Sequence, residues 1–242
     1  AEQGCHQFHF NDSDLSGDPT TVREICEEII RRKLPPINMI GQLRVQKGYT
    51  ADYFKTLRRA GFTNLRYGID GWAKNTLKLH KKGYTLQMIE EVIEMTKAAG
   101  IRVSINLVIG IPSETEADID ETIENMLSNA HRFDCIENVN TLLLLAGSVY
   151  WEAPEAHGII FHEPKEELIR RHPRIIPVEF WHSENPYIDQ EIRLARLDRI
   201  VKAARSAGIR IGEYADRSIR KLNEADDSPN VDVKTSGTLA VL

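Results

Sequence analysis

The chain has 242 residues, 41% of them hydrophobic and 28% charged, with a formal net charge of -5. This composition suits a globular protein long enough for one large α/β domain, or one domain with an appendage. The acidic balance gives no reason to expect nucleic-acid or anionic-membrane binding. No stretch approaches the roughly 20 apolar residues of a membrane span.

The chain begins Ala1-Glu-Gln-Gly-Cys5, without a signal-like apolar segment, and enters a strand-like run at His6 almost at once. A domain that starts inside a strand is expected to be a piece whose upstream part is missing. The three cysteines, Cys5, Cys26 and Cys135, are widely spaced and odd in number, so they suggest neither a disulfide framework nor a metal-binding pair. They read as buried thiols in a reducing cytoplasm.

The first expected strand covers 6–11. Pro19, a favoured first helical residue, opens a helix to Arg32. A strand near 38–45 precedes a helix at 51–60, capped by Thr50. A strand at 64–69 leads to a short helix around 72–79 and then, after Thr85, a helix at 86–99 with Leu86, Ile89, Val92 and Ile93 at helical spacing. The strand 102–109 leads to a helix at 116–131, and 138–145 is the last clear strand, its Leu142–Leu145 run apolar enough to be covered on both faces. The phrases Arg59-Ala-Gly-Phe62, Ala98-Ala-Gly-Ile101 and Ser206-Ala-Gly-Ile209 each end a helical pattern on a glycine, which takes the left-handed conformation that stops a helix. Strands alternating with such helices pair in parallel through right-handed crossovers. After Gly147 prolines break the rhythm, until a helix at about 188–207; a polar, turn-rich end from Asn223 is expected to be a mobile tail.

Parallel α/β folds place function at the carboxyl ends of their strands. Those ends carry Asn11-Asp12-Ser13-Asp14, Gln42-Leu-Arg44, Tyr67-Gly68-Ile-Asp70-Gly71, and Gly110-Ile111-Pro112-Ser113-Glu114, with Asn106 inside the fourth strand. At the last junction Ser113 or Thr115 would cap the helix, and Ser113 with Glu116 has the spacing of a capping box. Any one such residue has a bland role as a cap or ion-pair partner; four successive polar ends would surround one mouth. His6 and His9 point to opposite faces of a strand and cannot share a metal. There is no GxGxxG, Walker loop, GxSxG or HExxH.

In this order the phrases resemble the radical S-adenosylmethionine superfamily, and within it the branch that carries a cobalamin-binding domain upstream. They are Phe10-Asn-Asp12-Ser13-Asp14-Leu15, Arg44, Gly68-Ile-Asp70-Gly71, Leu77 with Lys82-Gly-Tyr-Thr85, Ala99-Gly-Ile101, Gly110-Ile111-Pro112-Ser-Glu-Thr115, and Gly147-Ser148 with Pro154-Glu155 and Gly158-Ile159. The resemblance covers about 6–160. Two departures stand out: Asp70 replaces the family's usual Glu, and the CxxxCxxC that holds the family's iron–sulfur cluster is absent, as either truncation before Ala1 or descent from a relative that lost the cluster would produce.

The resemblance implies an α/β fold, a parallel partial TIM-type barrel made of the second to sixth strands of the family's barrel, over 1–147. An irregular, mainly helical C-terminal extension over 148–222 and the tail 223–242 would follow. It implies a cytoplasmic enzyme that generates a 5′-deoxyadenosyl radical or transfers a methyl group. The cofactors would be S-adenosylmethionine, a 4Fe-4S cluster ligated upstream, and cobalamin in an upstream domain; the fragment alone would be inactive. Asp12, Ser13, Arg44, Gly68, Asp70, Asn106, Gly110, Ile111 and Pro112 would line the cofactor or substrate site. Partners would be a small-molecule or peptide substrate and a reductant such as flavodoxin or ferredoxin. Competing readings are a cluster-free TIM-barrel lyase or hydrolase and a non-catalytic α/β binding module. For Asp70 the bland role is to cap the short helix near Trp72.

Overall fold

A computed structural model describes residues 4–11 and 14–212. Asp12, Ser13 and the expected tail over 223–242 lie outside the described residues. Five parallel strands, β1 (Gln7–His9), β2 (Asn38–Leu43), β3 (Phe62–Asp70), β4 (Arg102–Ile109) and β5 (Cys135–Thr141), lie side by side in chain order. The crossovers carry α1 (Pro19–Arg31), α2 (Ala51–Ala60), the short α3 (Lys74–Leu79) with α4 (Leu86–Ala98), and α5 (Glu116–Ser128). The sheet curls into a half-barrel, as expected of a partial TIM-type barrel. Beyond β5, among the described residues, one parallel bridge joins Ile136 to Ile211.

Local chemistry sets most boundaries. The Asp18 carboxylate accepts from the Thr20 and Thr21 amides ahead of α1, and Thr50 and Thr85 cap α2 and α4 through Tyr53 and Met88. Gly61 stops α2 at φ +118, where its missing side chain also lets the Ile37 carbonyl approach. The cap of α5 differs from the Ser113–Glu116 expectation. Thr115 is the N-cap and forms the box with Asp118, each side chain taking the other's amide. Ser113 sits two residues earlier at φ +69 and cannot enter the helix.

The strands alternate between two environments. Leu65, Tyr67 and Ile69 of β3 and Val103, Ile105 and Leu107 of β4 are buried among Phe54, Leu57, Ile89, Ile93 and Ile119 from the helices. Tyr67 settles its hydroxyl on Thr96 at 2.6 Å. The opposite, concave face carries Gln42, Asn64, Arg66, Asp70, Asn106 and Glu137, all half-buried. A closed TIM barrel fills its interior with branched apolar side chains; here the interior side is polar.

The last strand corrects the sequence expectation of 138–145. β5 starts at Cys135 and ends at Thr141, and Leu144–Leu145 is a separate strand, β6. β6 pairs antiparallel with β8 (Ile175–Ile176). The apolar run is not covered on both faces: Leu144 is buried, but Leu143 and Leu145 are 50% and 47% exposed. Once Leu142 has donated its amide to Ile109 the chain leaves the sheet, and only alternate leucines find a core.

The following segment holds α6 (Val149–Glu152), β7 (Ile159–Phe161), α7 (Lys165–Arg171), β9 (Trp181–Glu184) and β10 (Tyr187–Ile188). It builds a second small core from Leu144, Trp151, Ile159, Leu168, Ile176 and Trp181. α8 (Gln190–Ser206), capped by Asp189, then returns to the barrel: Leu197, Ile200, Val201 and Ala204 belong to the main core. Cys26 is buried in α1 and Cys135 at the start of β5, but Cys5 is exposed, so the reading of three buried thiols fails at Cys5.

Candidate functional site

The carboxyl end of β3 departs from regular structure at Asp70. The register with β4 shifts between Gly68 and Asp70, and Asp70 takes φ +57, which only glycine adopts without cost and Asp or Asn tolerate better than most. Asp70 does not cap the next helix. That role falls to Ala73, whose amide is met by the Thr76 hydroxyl at 3.1 Å. The Asp70 carboxylate instead forms an ion pair with Lys82. Arg44, leaving the end of β2, donates from Nη2 to the Lys82 carbonyl at 2.5 Å. Tyr84 donates its hydroxyl to the Gly68 and Ile69 carbonyls at 3.2 and 3.0 Å.

The loop from Lys82 to Tyr84 therefore ties the ends of β2 and β3 together. Burial pushes the Tyr84 phenol up, so it stays a neutral donor. Burial pushes the His80 imidazole down, against the opposing pull of Asp70, and its buried Nε2 has no partner among the described residues. Among the described residues a Cβ on Gly68 would meet only Asp70 and Gln42, at 3.5 and 3.9 Å, so none of them crowds the surface beside the carboxylate.

One level down, the concave face is a row of paired polar groups. Arg66 Nη2 donates to Glu137 at 3.1 Å, and its Nη1 lies 3.5 Å from His9 Nε2. Asn138 donates to Asn106 at 3.3 Å. Ser104 donates to Asn64 at 3.1 Å, next to the Cys135 thiol. Glu137 lies where the β4–β5 register slips, since Ile105 pairs with Ile136 but Asn106 with Asn138. That slip turns an extra side chain toward Arg66.

At the end of β4, Gly110 has φ +74 and donates its amide to Glu114 at 2.6 Å. Ile111 and Pro112 are buried behind it. Glu114 is almost wholly buried; burial raises its carboxyl to about 7, while the Gly110 amide and Arg196 oppose that rise. The Gly110 carbonyl accepts from Arg193 at 3.1 Å.

Of the residues singled out in the sequence, Arg44 and Asp70 come together through Lys82, and Gly68 is held to the same loop by Tyr84. Asn106 lies in the row beneath, and Gly110, Ile111 and Pro112 form the neighbouring strand end. In the sequence Lys82 stands only within the phrase Lys82-Gly-Tyr-Thr85, and Arg66 and Glu137 belong to none of the phrases. The signal for Arg66 was the spacing of Asn64, Arg66, Gly68 and Asp70, which puts all four on one face of a strand.

Among the described residues, no three His, Cys, Asp or Glu side chains are grouped to hold a metal ion. Cys5, Cys26 and Cys135 are not grouped with one another, so they do not fit an iron–sulfur cluster.

The model of the radical SAM superfamily matches residues 6–126, half of the chain. The chain belongs to the radical SAM superfamily. Solved structures of radical SAM proteins share its fold. One is TsrM from Kitasatospora setae, a radical S-adenosylmethionine methyltransferase with cobalamin and a [4Fe-4S] cluster bound: TM-score 0.52, 18% identity, covering 60% of this chain and 29% of TsrM. Another is the coproporphyrinogen III oxidase HemN from Escherichia coli, with TM-score 0.56 and 14% identity, covering 84% of this chain and 41% of HemN. This radical SAM chain thus spans well under half the length of either protein. No curated protein sequence matches it.

Proposed function

We propose that the chain is the S-adenosylmethionine-binding part of a longer radical SAM enzyme. The observation that carries this reading is the convergence of Arg44, Gly68 and Asp70 on one strand-end mouth above a polar concave face. A carboxylate at a glycine-flanked strand end suits the hydroxyls of a ribose, and Asp70 is held in a rarely populated backbone conformation to present it. Gly110, Ile111 and Pro112 supply the adjacent wall. Asp12 and Ser13, which lie outside the described residues, remain proposed as cofactor-binding residues on their sequence alone.

The 4Fe-4S cluster is held by residues outside this chain, by a CxxxCxxC upstream, and cobalamin is carried by an upstream domain. Cluster and S-adenosylmethionine together supply the radical or methyl-transfer chemistry. What the described residues do is bind, orient and exclude water. Asp70 accepts hydrogen bonds from the cofactor, with Lys82 moving off the carboxylate or sharing it. Arg44 braces the loop that carries Lys82.

The substrate, a small molecule or a peptide, lies on the concave face against Arg66, Glu137, Asn106 and Asn138. Those groups favour a polar, hydrogen-bonding molecule over a lipid, because an apolar ligand would leave them desolvated and unpaired. A flavodoxin- or ferredoxin-type reductant and a reducing cytoplasm complete the proposal. Among the described residues no helix is long and apolar enough to cross a membrane.

The test is titration of S-adenosylhomocysteine into the full-length protein and its Asp70→Asn variant. The reading expects measurable binding that weakens by about tenfold in the variant, for loss of one charge-assisted hydrogen bond of about 1.4 kcal/mol. Equal affinity in both would remove Asp70 from the site.

A further inference from the structure

The Gly110 turn is gripped by a helix that the superfamily match does not reach. The match ends at residue 126, and α8 starts at Gln190. Arg193 of α8 is fully buried. Its Nε donates to the Gly110 carbonyl at 3.1 Å. Its aliphatic stem fills the space a side chain on Gly110 would need, since a Cβ there would lie 3.0 Å from Arg193 Cδ and closer still to Cγ. One turn along, Arg196 is also buried and donates from Nη1 to Glu114 at 3.1 Å, onto the same Oε2 that receives the Gly110 amide. Both polar groups of Gly110 are thus fixed by side chains rooted in or anchored to α8.

The arrangement is costly. Among the described residues the Arg193 guanidinium lies 3.7 Å over the Trp181 ring and makes one hydrogen bond, and Nη1 and Nη2 have no partner. An apolar side chain would pack there without burying a charge. What the arginine adds is direction at a residue that needs it: glycine populates both signs of φ, so an unpinned Gly110 would let its peptides rotate. We propose that Arg193 is a positioning residue that sets the orientation of the Gly110–Ile111 peptide, and with it the cofactor-facing wall of the mouth. This rests on the S-adenosylmethionine reading. It makes the segment after the barrel, and not the superfamily motifs alone, responsible for the geometry of the site.

The test uses the full-length protein and the variants Arg193→Met and Arg193→Lys. Met keeps the stem and removes the donor; Lys keeps a charge and a donor. The proposal expects the melting temperature of Arg193→Met to hold or rise while affinity for S-adenosylhomocysteine falls about tenfold, with Arg193→Lys recovering part of the loss. The same loss is expected for 5′-methylthioadenosine, which has no carboxylate, because the wall meets the adenosyl part. Unchanged affinity in Arg193→Met overturns the proposal. A loss confined to S-adenosylhomocysteine also overturns it, by making Nη1 and Nη2 direct carboxylate ligands. If Arg193→Met does not fold, Arg193→Lys decides alone, and wild-type affinity there for both compounds overturns the proposal. Failure of the wild-type protein to bind either compound would remove the S-adenosylmethionine reading and this inference together. Binding that is sensitive to Asp70→Asn but not to Arg193→Met would remove this inference only.

Discussion

Lys82 forms an ion pair with Asp70 at the end of β3, with the two side chains 23% and 20% exposed. The same lysine's carbonyl is the acceptor for Arg44, so one loop residue links two polar strand ends. A pair so placed keeps some access to solvent, which makes it a weak contributor to stability and leaves its carboxylate within reach of a ligand.

Asp70→Asn should therefore cost less than about 1 kcal/mol of stability. Asn tolerates the positive φ of this position, and the residue is not a helix cap. In a protein of this size that is a fall of a few degrees at most, roughly 2–4 °C for the full 1 kcal/mol. Differential scanning calorimetry checks it. A loss of several kcal/mol would mean that the carboxylate holds the fold together.

Gly110→Ala and Gly83→Ala separate backbone strain from packing. The two glycines have nearly the same dihedral, φ +74 and φ +75. Among the described residues a Cβ on Gly83 meets nothing within 4 Å, whereas on Gly110 it meets the stem of Arg193. Gly83→Ala should cost about 1 kcal/mol, the backbone part alone, and Gly110→Ala clearly more, by another 1–3 kcal/mol from overpacking. Chemical denaturation measures both; equal losses would show that Arg193 gives way freely.

Much of this fold was legible because its boundaries are local. The helix 51–60 and the strand 102–109 agree with the sequence expectation to the residue, since Thr50, Gly61 and the break at Gly110 act on their immediate neighbours. The box at α5 was misplaced because Ser113-Glu116 and Thr115-Asp118 satisfy the same pattern, and the left-handed Ser113 backbone decides between them. The run Leu142–Leu145 misled because an apolar stretch does not say which core it enters. Arg193 and Arg196 could not have been found from pattern, as the groups they hold lie about 80 residues earlier in the chain.

The buried Glu114 predicts a pH dependence. Its folded carboxyl is raised from 4.5 to about 7, so between those values the folded state binds more protons than the unfolded state. Its stabilising contribution is full below pH 4.5 and is lost as pH rises through 7, by at most roughly 3 kcal/mol. Glu114→Gln keeps an acceptor for the Gly110 amide and does not titrate. The melting temperature of the wild type relative to this variant should fall from pH 5 to pH 7; parallel profiles would place the Glu114 carboxyl in its ordinary range, ionised and paired with Arg196.

Thiol reactivity should follow burial. Cys5 is exposed, while burial raises the Cys26 thiol to about 12 and also raises that of Cys135. Iodoacetamide on the native protein should label Cys5 and spare the other two until denaturant is added, as mass spectrometry would read. Fast labelling of Cys135 would show that the concave face is open down to its lower end.

The most direct test of the account is turnover of S-adenosylmethionine by the full-length, cluster-loaded protein under a strong reductant, followed by chromatography of the products. The account predicts 5′-deoxyadenosine or S-adenosylhomocysteine from the wild type, and a rate reduced about tenfold at subsaturating S-adenosylmethionine in Asp70→Asn, in line with the weakened binding. Neither product from a protein with a loaded cluster, or identical rates in wild type and variant, would contradict it.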